Sequence, residues 1–437
     1  MEFVADFHIH SKYSRATSRD MDVEHLAYWA KLKGIQLIGT GDFTHHLWLE
    51  ELRSKLEDKE NGLYEYKGIN FILSSEISSI YSKGGRTYRI HNLIFSPSFK
   101  SVDKINEKLS RIGNLASDGR PILGLDAAEL ARIIFDIDEN CVLVPGHIWT
   151  PWFSLFGSMS GFNKIEDCFE EQTPKIFALE TGLSSDPAMN WRLSALDKIT
   201  LISNSDAHSP AKIGREANVF DCDLSYYEII DVLKKKDAKR FLFTVEFFPE
   251  EGKYHFDGHR NCNILFSPTE SKKHKNICPV CQRPLTLGVM TRVEALADRP
   301  EGYQPAGTIP AKHMVPLEEI IADALGQKPG TVNVEHEYNR LIEKGGNEFK
   351  ILLDLSPEEL SHYTSSRIVE GIRLVREGKL KIIPGHDGVY GKIKIFDEPA
   401  PASLPGQVAD RGNQSYSDKT GPSQSATPRL PIQMNLF

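Results

Sequence analysis

The sequence predicts an α/β domain over residues 1–245. Short apolar runs typical of buried parallel strands alternate there with amphipathic segments typical of helices, such as Val23 to Leu32 and Ala127 to Phe135. In addition, histidines and carboxylates directly follow several of these apolar runs. Because the carboxyl ends of parallel strands meet at one end of a barrel, this second observation predicts that the polar side chains share one site.

Four apolar runs are interpreted as buried strands because they are short and rich in branched residues. They are Phe3–Ala5, Ile35–Gly39, Asn70–Leu73 and Cys141–Val144. A polar residue follows each of three runs, namely Asp42, Glu76 and His147, and Asp206 follows a further run at Leu201–Ile202. We therefore expect these four side chains at one edge of the sheet.

The rest of the chain divides into three further regions. Residues 246–328 hold two cysteine-containing clusters and few long apolar runs, which predicts a zinc-binding module. Residues 329–396 return to helical patterns, including Pro357 to Glu377, and end in a strand-like stretch at 392–396. Residues 397–437 are rich in Pro, Gly, Ser and Gln, so they are predicted to be a disordered tail.

Composition excludes several classes of protein. The chain has 437 residues, of which 40% are hydrophobic and 26% charged, as in a globular protein of two or three domains. It contains no apolar run long enough to span a membrane and no signal pattern, so we expect an intracellular, cytoplasmic protein. We also expect it to be monomeric and nucleoid-associated. The net charge of −8 argues against a protein that coats nucleic acid by bulk charge, although local basic patches remain possible.

Two pairs of polar residues, each with one residue between its members, predict metal ligands. His8 and His10 alternate in an extended segment, so both rings face the same side, and Asp206 with His208 repeats this geometry. Glu76, His91 and His147 follow or lie within other apolar runs. Mixed imidazole and carboxylate ligands suit zinc, manganese or iron, and a bridging carboxylate allows several metals in one site. The alternative is ordinary core histidines, which the joint placement of all these residues argues against.

A second cluster predicts a structural zinc site. Cys262 follows a histidine, His259, and sixteen residues later Cys278 and Cys281 form a C-x-x-C knuckle. Two thiolates at this spacing reach one tetrahedral ion. The fourth ligand is His259 by spacing, with His255 as the alternative. A pair of buried thiols or a catalytic dithiol are the competing interpretations.

Aromatic and basic residues mark possible contacts with nucleic acid. Trp149, Trp152 and Phe153 follow His147 in a loop that contains Pro and Gly, and such rings can stack on a flipped base. Core packing is the alternative for these rings. Lys272 and Lys273 lie between the two cysteine clusters, where they form either a phosphate-binding patch or a solvated loop.

The metal-ligand pattern resembles the polymerase-and-histidinol-phosphatase (PHP) family. The matching segments are Asp6–Ser11, Gly41–Phe43, Glu76, Arg89–Leu93, Pro145–His147 and Ser205–His208. The resemblance implies a distorted (β/α)7 barrel with a trinuclear site. It places His8, His10, Glu76 and Asp206 on the first metal, adds His91 and His147 on a second metal that Glu76 bridges, and assigns Asp42 and His208 to a third. The family's further histidine is missing between Ser11 and Asp20, which leaves Asp20 or His45 as its substitute.

The longer chain resembles the endonuclease Q family. The resemblance rests on Glu180–Pro187, Asp257–Arg260, Cys278–Cys281, Leu296–Arg299 and Ile383–Gly391, and covers about residues 1–396. It implies a DNA repair endonuclease that uses metal-activated water to cut 5′ to deaminated bases (hypoxanthine, uracil, xanthine) and abasic sites. His8, His10, Glu76 and Asp206 would form the catalytic centre, with two or three divalent ions (Zn, Mn or Mg) and one structural Zn.

The last residues resemble a bacterial sliding-clamp-binding peptide. Gln433, Leu436 and Phe437 end a polar tail, and an extended peptide on such a tether can insert two apolar side chains into a pocket. A chance apolar terminus is the alternative. Two other functions compete with the nuclease: a small-molecule phosphatase of the histidinol-phosphatase type, and a clamp-recruited, non-catalytic DNA-binding protein.

Overall fold

The computed structural model describes residues 1–396, which belong to one compact unit. The predicted tail at 397–437, with Gln433, Leu436 and Phe437, lies outside the described residues. Among the described helices, none is long and apolar enough to cross a membrane.

The strands are distributed along the whole described chain. They are β1 Glu2–Asp6, β2 Leu37–Gly39, β3 Glu57–Asp58, β4 Tyr64–Tyr66, β5 Ile69–Lys83, β6 Arg86–Ser96, β7 Ile122–Leu123, β8 Val142–Pro145, β9 Ala178–Glu180, β10 Thr200–Ile202, β11 Ala217–Asp221, β12 Phe241–Glu246, β13 Asp257–His259, β14 Ile264–Phe266, β15 Ala311–His313, β16 Lys381–Ile383 and β17 Lys392–Lys394.

The helices alternate with these strands at first and follow one another near the end of the described chain. They are α1 Val23–Lys33, α2 His46–Lys55, α3 Phe99–Ser110, α4 Ala127–Ile137, α5 Ile165–Phe169, α6 Pro187–Asn190, α7 Tyr226–Lys235, α8 Pro268–Lys273, α9 Val289–Leu296, α10 Leu317–Leu325, α11 Val332–Gly345, α12 Pro357–Ser361 and α13 Ser366–Arg376.

Local sequence explains where α1 begins and ends. The Asp22 side chain accepts a hydrogen bond from the backbone N–H of His25, which satisfies a free donor of the first turn. Gly34 then ends the helix in the left-handed conformation, with φ 88°. The predicted helices at Val23 to Leu32 and Ala127 to Phe135 are thus present as α1 and α4.

The main sheet is mixed rather than wholly parallel. Its strand order is β15-β12-β11-β1-β2-β5-β4-β3, while β6 and β7 also pair with β5, and β8 pairs with β6. The β1–β2 and β2–β5 pairs are parallel, as predicted for the first three apolar runs. The prediction is wrong for β8, which runs antiparallel to β6 because the long β5–β6 hairpin reverses the chain.

The later regions pack onto the same sheet. Strand β15 pairs in parallel with β12, so the sheet extends beyond the boundary predicted at residue 245. One apolar cluster includes Ile35 and Phe43 of the first region together with Ile320 and Ile368 of the C-terminal helices. The domain boundaries at 245 and 328 stay predictions, and no break in packing marks them within residues 1–396.

Candidate metal centre

Pairing between distant segments brings the first predicted ligands together. The chain beyond β1 forms a bridge between Ile9 and Ala207, and the N–H of His10 donates to the carbonyl of Ala207 at 3.0 Å. This bridge sets His8 and His10 beside Asp206. Asp206 follows β10 as the sequence predicts, although three residues separate it from the end of the strand.

The first group of ligand atoms consists of His8, His10, Glu76 and Asp206, whose ligand atoms lie within 4.8 Å of one another. His10 Nε2 is 3.2 Å from Glu76 Oε2 and 3.1 Å from Asp206 Oδ1. His8 Nε2 is 3.5 and 3.6 Å from the same two oxygens. All four atoms therefore point at one small volume.

The second group consists of Glu76, His91 and His147. Strands β5 and β6 form a regular antiparallel pair that carries Glu76 and His91, and His147 follows β8. Glu76 Oε1 is 2.6 Å from His91 Nδ1 and 3.0 Å from His147 Nε2. Glu76 thus presents one oxygen to each group, which is the geometry of a bridging carboxylate.

The residues fit metal ions. His8 Nε2, His10 Nε2 and Asp206 Oδ1 are buried atoms without a hydrogen-bond partner, although buried polar atoms usually have one. Their side chains are fixed from behind, and the unpartnered atoms converge. A divalent cation would complete all three. The site opens to solvent on the side of Asp206, whose side chain is 25% exposed.

Two residues that the sequence did not predict as part of the site hold it in place. Glu180 Oε1 is 3.0 Å from His8 Nδ1, and its Oε2 accepts the backbone N–H of His147 at 2.8 Å. Arg120 Nη1 donates to Glu76 Oε2 at 3.1 Å. Glu180 ends strand β9 after the buried run Ala178–Leu179, so its position offered the same signal as the predicted ligands. Arg120 lies in a loop and offered no such signal.

The charges at this site make its binding of a metal ion depend on pH. Burial alone would raise the pKa of Asp206, but the imidazoles of His8 and His10 outweigh burial and hold that pKa well below its usual value. Burial opposes charge on His8, yet the Glu180, Asp206 and Glu76 carboxylates hold the pKa of His8 well above its usual value. Because a cation must displace protons from such imidazoles, its affinity rises with pH.

Asp42 and His208 do not form a third group of converging ligand atoms within residues 1–396. Asp42 Oδ2 already accepts the Ser11 N–H, Ser11 Oγ–H and Ser14 Oγ–H, and its Oδ1 is 3.1 Å from His10 Nδ1. This differs from the expectation of a third metal on Asp42, because its oxygens are used to orient His10. His208 lies beside that ring, with ring centroids 4.6 Å apart.

The two substitutes weighed for the missing histidine also lie apart from both groups. Asp20 is exposed, and its backbone N–H donates to Ser18 Oγ. His45 is buried and stacks on the ring of Tyr13 at 4.5 Å between centroids. Its Nδ1 atom has no hydrogen-bond partner.

Backbone strain marks the centre. Asp42, His147 and Asp206 adopt positive φ values of 49°, 29° and 47°. Residues other than glycine rarely adopt positive φ values, and strained residues cluster at functional sites. Each of the three follows a strand end, where a sharp turn directs the side chain back into the site.

The predicted zinc ligands converge as a third group. Ligand atoms of His259, Cys262, Cys278 and Cys281 lie within 4.8 Å of one another, and both ring nitrogens of His259 are 3.9 Å from Cys281 Sγ. The alternative ligand His255 is outside this group, and burial lowers its pKa to about 4. The geometry therefore selects His259 as the fourth member.

The aromatic residues after His147 divide into two kinds. Trp149 is fully buried, packs on Phe156 and donates through Nε1 to Asn190 Oδ1, so its predicted contact with a base is wrong. Trp152 is 39% exposed and meets Tyr254 edge to face. Phe153 is half-buried, with its ring 4.9 Å from that of His91.

The two predicted DNA-binding lysines are on the surface. Lys272 and Lys273 are exposed at the end of α8. Lys272 Nζ lies 3.6 Å from Glu294 Oε1, which neutralises part of its charge. The structure places neither lysine among the three groups of ligand atoms.

A protein family and an uncharacterized relative are each similar to part of this chain. Residues 316–379, which include α10 to α13, match the family described as the MJ0043 C-terminal domain. The uncharacterized protein MJ0043 of Methanocaldococcus jannaschii is 33% identical over 266 residues, which are 59% of this chain and 33% of the relative. The chain thus spans about a third of that relative's length.

Two solved structures match nearly the whole described chain. The lesion-specific endonuclease PfuEndoQ from Pyrococcus furiosus is 33% identical with a TM-score of 0.82, over 91% of this chain and 96% of that one. An endonuclease Q complex with a 27-mer duplex that carries an abasic lesion at its active site has 33% identity and a TM-score of 0.80. That match covers 91% of this chain and 97% of the other.

Proposed function

The chain belongs to the endonuclease Q family, and we infer that it is a metal-dependent DNA repair endonuclease. We propose that it hydrolyses the phosphodiester 5′ to deaminated bases (hypoxanthine, uracil, xanthine) and abasic sites. The observation that carries this proposal is the pair of ligand groups joined by Glu76, with three buried, unpartnered ligand atoms. The small-molecule phosphatase and the non-catalytic DNA-binding protein receive no specific support.

We assign two divalent ions to the centre. His8, His10 and Asp206 would hold the first ion, His91 and His147 the second, and Glu76 would bridge them. Zinc, manganese and magnesium remain the candidate metals, because imidazole suits zinc, and carboxylate suits manganese and magnesium. A third ion at Asp42 and His208 is not part of the proposal, since Asp42 is already saturated with donors.

The protein's own residues prepare this centre. Glu180 holds the proton of His8 at Nδ1, which leaves the Nε2 lone pair aimed at the site, and Asp42 does the same for His10. Bound divalent cations supply an activated water at neutral pH and neutralise charge on phosphate oxygens. The Arg120 guanidinium adds a fixed positive charge beside Glu76, where it can stabilise charge that develops on the phosphate.

The remaining features of the proposal concern the zinc group, the fold, the partner and the oligomeric state. One structural zinc would join His259, Cys262, Cys278 and Cys281 in a ribbon. The closed (β/α)7 barrel, the clamp-binding peptide and the monomeric state stay predictions. DNA is the proposed partner, with exposed Trp152 and half-buried Phe153, both in the loop after His147, as candidate contacts with a base.

The test is cleavage of end-labelled duplexes that carry one hypoxanthine, uracil or abasic site, with Mn²⁺, Mg²⁺ or Zn²⁺. We expect a nick 5′ to the lesion and none in the undamaged duplex. Asp206→Ala and His8→Ala should abolish nicking, whereas Asp136→Ala, an exposed aspartate on α4, should not change it. Turnover of histidinol phosphate without any nick would overturn the nuclease proposal. Normal nicking by either ligand variant would overturn the metal assignment.

A further inference from the structure

Arg89 lies on the same face of the β5–β6 hairpin as the metal ligands. The register pairs Ser78 with His91 and Ile80 with Arg89, and side chains alternate between faces along each strand. Glu76, His91 and Arg89 therefore project to one side. Arg89 is the next side chain outward from His91, toward the hairpin tip.

The guanidinium of Arg89 is held without a counter-charge. Its Cζ lies 5.9 Å from the ring centroid of Phe153, and that ring in turn contacts His91. Within residues 1–396, Arg89 has no carboxylate oxygen within 4.0 Å and no other side-chain hydrogen bond. Several surface arginines are paired by contrast, for example Arg132 with Glu129 and Asp136.

Hydrogen bonds of the backbone fix the position of Phe153 beside Arg89. The N–H of His91 donates to the carbonyl of Phe153 at 3.2 Å, and the N–H of Phe153 donates to Ser160 Oγ at 3.2 Å. The N–H of Arg89 donates to the carbonyl of Ser160. These bonds clamp the loop onto β6 and keep Phe153 at φ 63°, a conformation that its side chain would otherwise avoid.

An unneutralised, half-buried guanidinium beside a site for divalent cations is electrostatically unfavourable on its own. It becomes favourable when a polyanion occupies the site. Arginine suits phosphate because its planar donors bind two oxygens at once, and an aromatic face beside it suits a sugar or base. We propose that Arg89 and Phe153 form a nucleotide subsite, in which Arg89 binds the backbone phosphate next to the scissile one.

This inference rests on the proposed function and deepens it. A phosphate contact positions the strand but carries no sequence information, so its loss should weaken binding to damaged and undamaged duplex alike. The reacting groups are untouched. Loss of Arg89 should therefore raise KM and leave kcat near that of the wild type.

The experiment compares Arg89→Gln with two control variants in the metal-loaded, full-length protein. Arg86→Gln removes an equal charge three residues away, from the opposite face of β6. Thr87→Ala changes an exposed neighbour on the same face as Arg89. The probe is a labelled undamaged duplex, titrated by fluorescence anisotropy at several salt concentrations, and the abasic-site duplex is used for steady-state cleavage.

For Arg89→Gln we expect the slope of log Kd against log salt to fall by about 1 and KM to rise with unchanged kcat. Arg89→Lys should retain most of the slope, and both controls should match the wild type. Equal losses in Arg86→Gln would show bulk charge and overturn the subsite, as would a wild-type slope in Arg89→Gln. Reduced metal content in Arg89→Gln would assign the residue to the metal centre instead. If the wild type neither binds nor nicks DNA, the proposed function itself fails.

Discussion

Single residues at the proposed metal centre divide into candidate ligands and the groups that orient them. The ligand atoms of His8 and His10 are their Nε2 atoms, and Glu180 and Asp42 bond to the opposite ring nitrogens. Such partners set the tautomer and ring orientation of a metal-binding histidine. The sequence indicated the ligands through the His-x-His pattern. The third-metal role of Asp42 stays a prediction, because a carboxylate after a strand is compatible with both ligation and orientation of a histidine, and the structure shows the second.

Glu180→Gln should weaken metal binding. The amide would direct a donor at His8 Nδ1 or at the His147 N–H, where both protein groups need an acceptor. Loss of such a partner typically lowers metal affinity about 10- to 100-fold. Isothermal titration with Mn²⁺ measures the change, and Glu171→Gln, an exposed glutamate, is the control. Equal affinities for the wild type and Glu180→Gln would contradict the aiming role.

Glu246 makes folding sensitive to pH. Burial raises its pKa to about 8, and its Oε1 atom has no hydrogen-bond partner. A raised folded-state pKa means that the native state binds the extra proton, so stability is fully present below about pH 4.5 and falls as pH rises toward 8. Glu246→Gln stays neutral and should lose the part of this pH dependence that Glu246 contributes, whereas the buried Glu216, whose pKa burial and Glu246 raise, keeps its own. The variant should therefore be more stable than the wild type at pH 8, by roughly 1–4 kcal/mol, and similar at pH 4.5.

Urea denaturation at the two pH values checks this prediction. Glu50→Gln, a change at an exposed helical position of α2, is the control for the general effect of losing one carboxylate. A constant difference between Glu246→Gln and the wild type across the two pH values would contradict a proton held at Glu246.

Elements with strong local signals were predicted well, and elements that depend on their neighbours were not. The sequence itself supplies the residues that begin and end helix α1, namely the N-cap Asp22 and the C-terminal Gly34. Strand β8 looks like any buried strand, and nothing in Val142–Pro145 states that it runs antiparallel to β6. The direction of a strand depends on which partner it meets, because an apolar run of this length fits either pairing.

The β13–β14 hairpin and the cysteine knuckle should depend on zinc. Cys278→Ser removes one thiolate from the group that also contains His259, Cys262 and Cys281. We expect bound zinc to fall by one equivalent, measured by plasma mass spectrometry, and the thermal midpoint to fall, because structural zinc contributes directly to folding. The Cys222→Ser variant, changed at a buried cysteine outside the group, should bind as much zinc as the wild type. Unchanged zinc in Cys278→Ser would refute the ribbon.

On the scale of the whole molecule, the C-terminal region is joined to helix α1 of the N-terminal region by a buried ion pair. Lys33 Nζ of α1 lies 2.7 Å from Glu348 Oε2, with both side chains 6% exposed. Tyr338 of α11 donates to the same carboxylate, and the N–H of Leu317 donates to its other oxygen. The region matched to the MJ0043 C-terminal domain is thus packed as part of one body with residues 1–245.

Glu348→Gln should destabilise the described unit as a whole. It leaves the Lys33 ammonium buried without a counter-charge, which costs on the order of 3–5 kcal/mol. Lys212→Met breaks a more exposed ion pair with Glu319 of α10 and should cost less than about 1 kcal/mol. Chemical denaturation followed by tryptophan fluorescence compares the two. Equal small losses would contradict the coupling, and adding Lys33→Met to Glu348→Gln should recover part of the loss.

The sequence by itself determined the pattern of the chemistry: the His-x-His and Asp-x-His pairs that predict a metal centre, the three cysteines of the predicted zinc group, and the family whose motifs order them. These are local patterns, since a strand places i and i+2 on one face and a knuckle brings two thiolates together without help from distant residues. Only the tertiary structure decided that Glu180 and Arg120 belong to the centre and that Asp42 orients His10. It also decided that Trp149 is buried and that Arg89 lies beside His91. The physical reason is that such roles depend on contacts between residues far apart in the chain, where one carboxylate, arginine or aromatic ring has many possible partners.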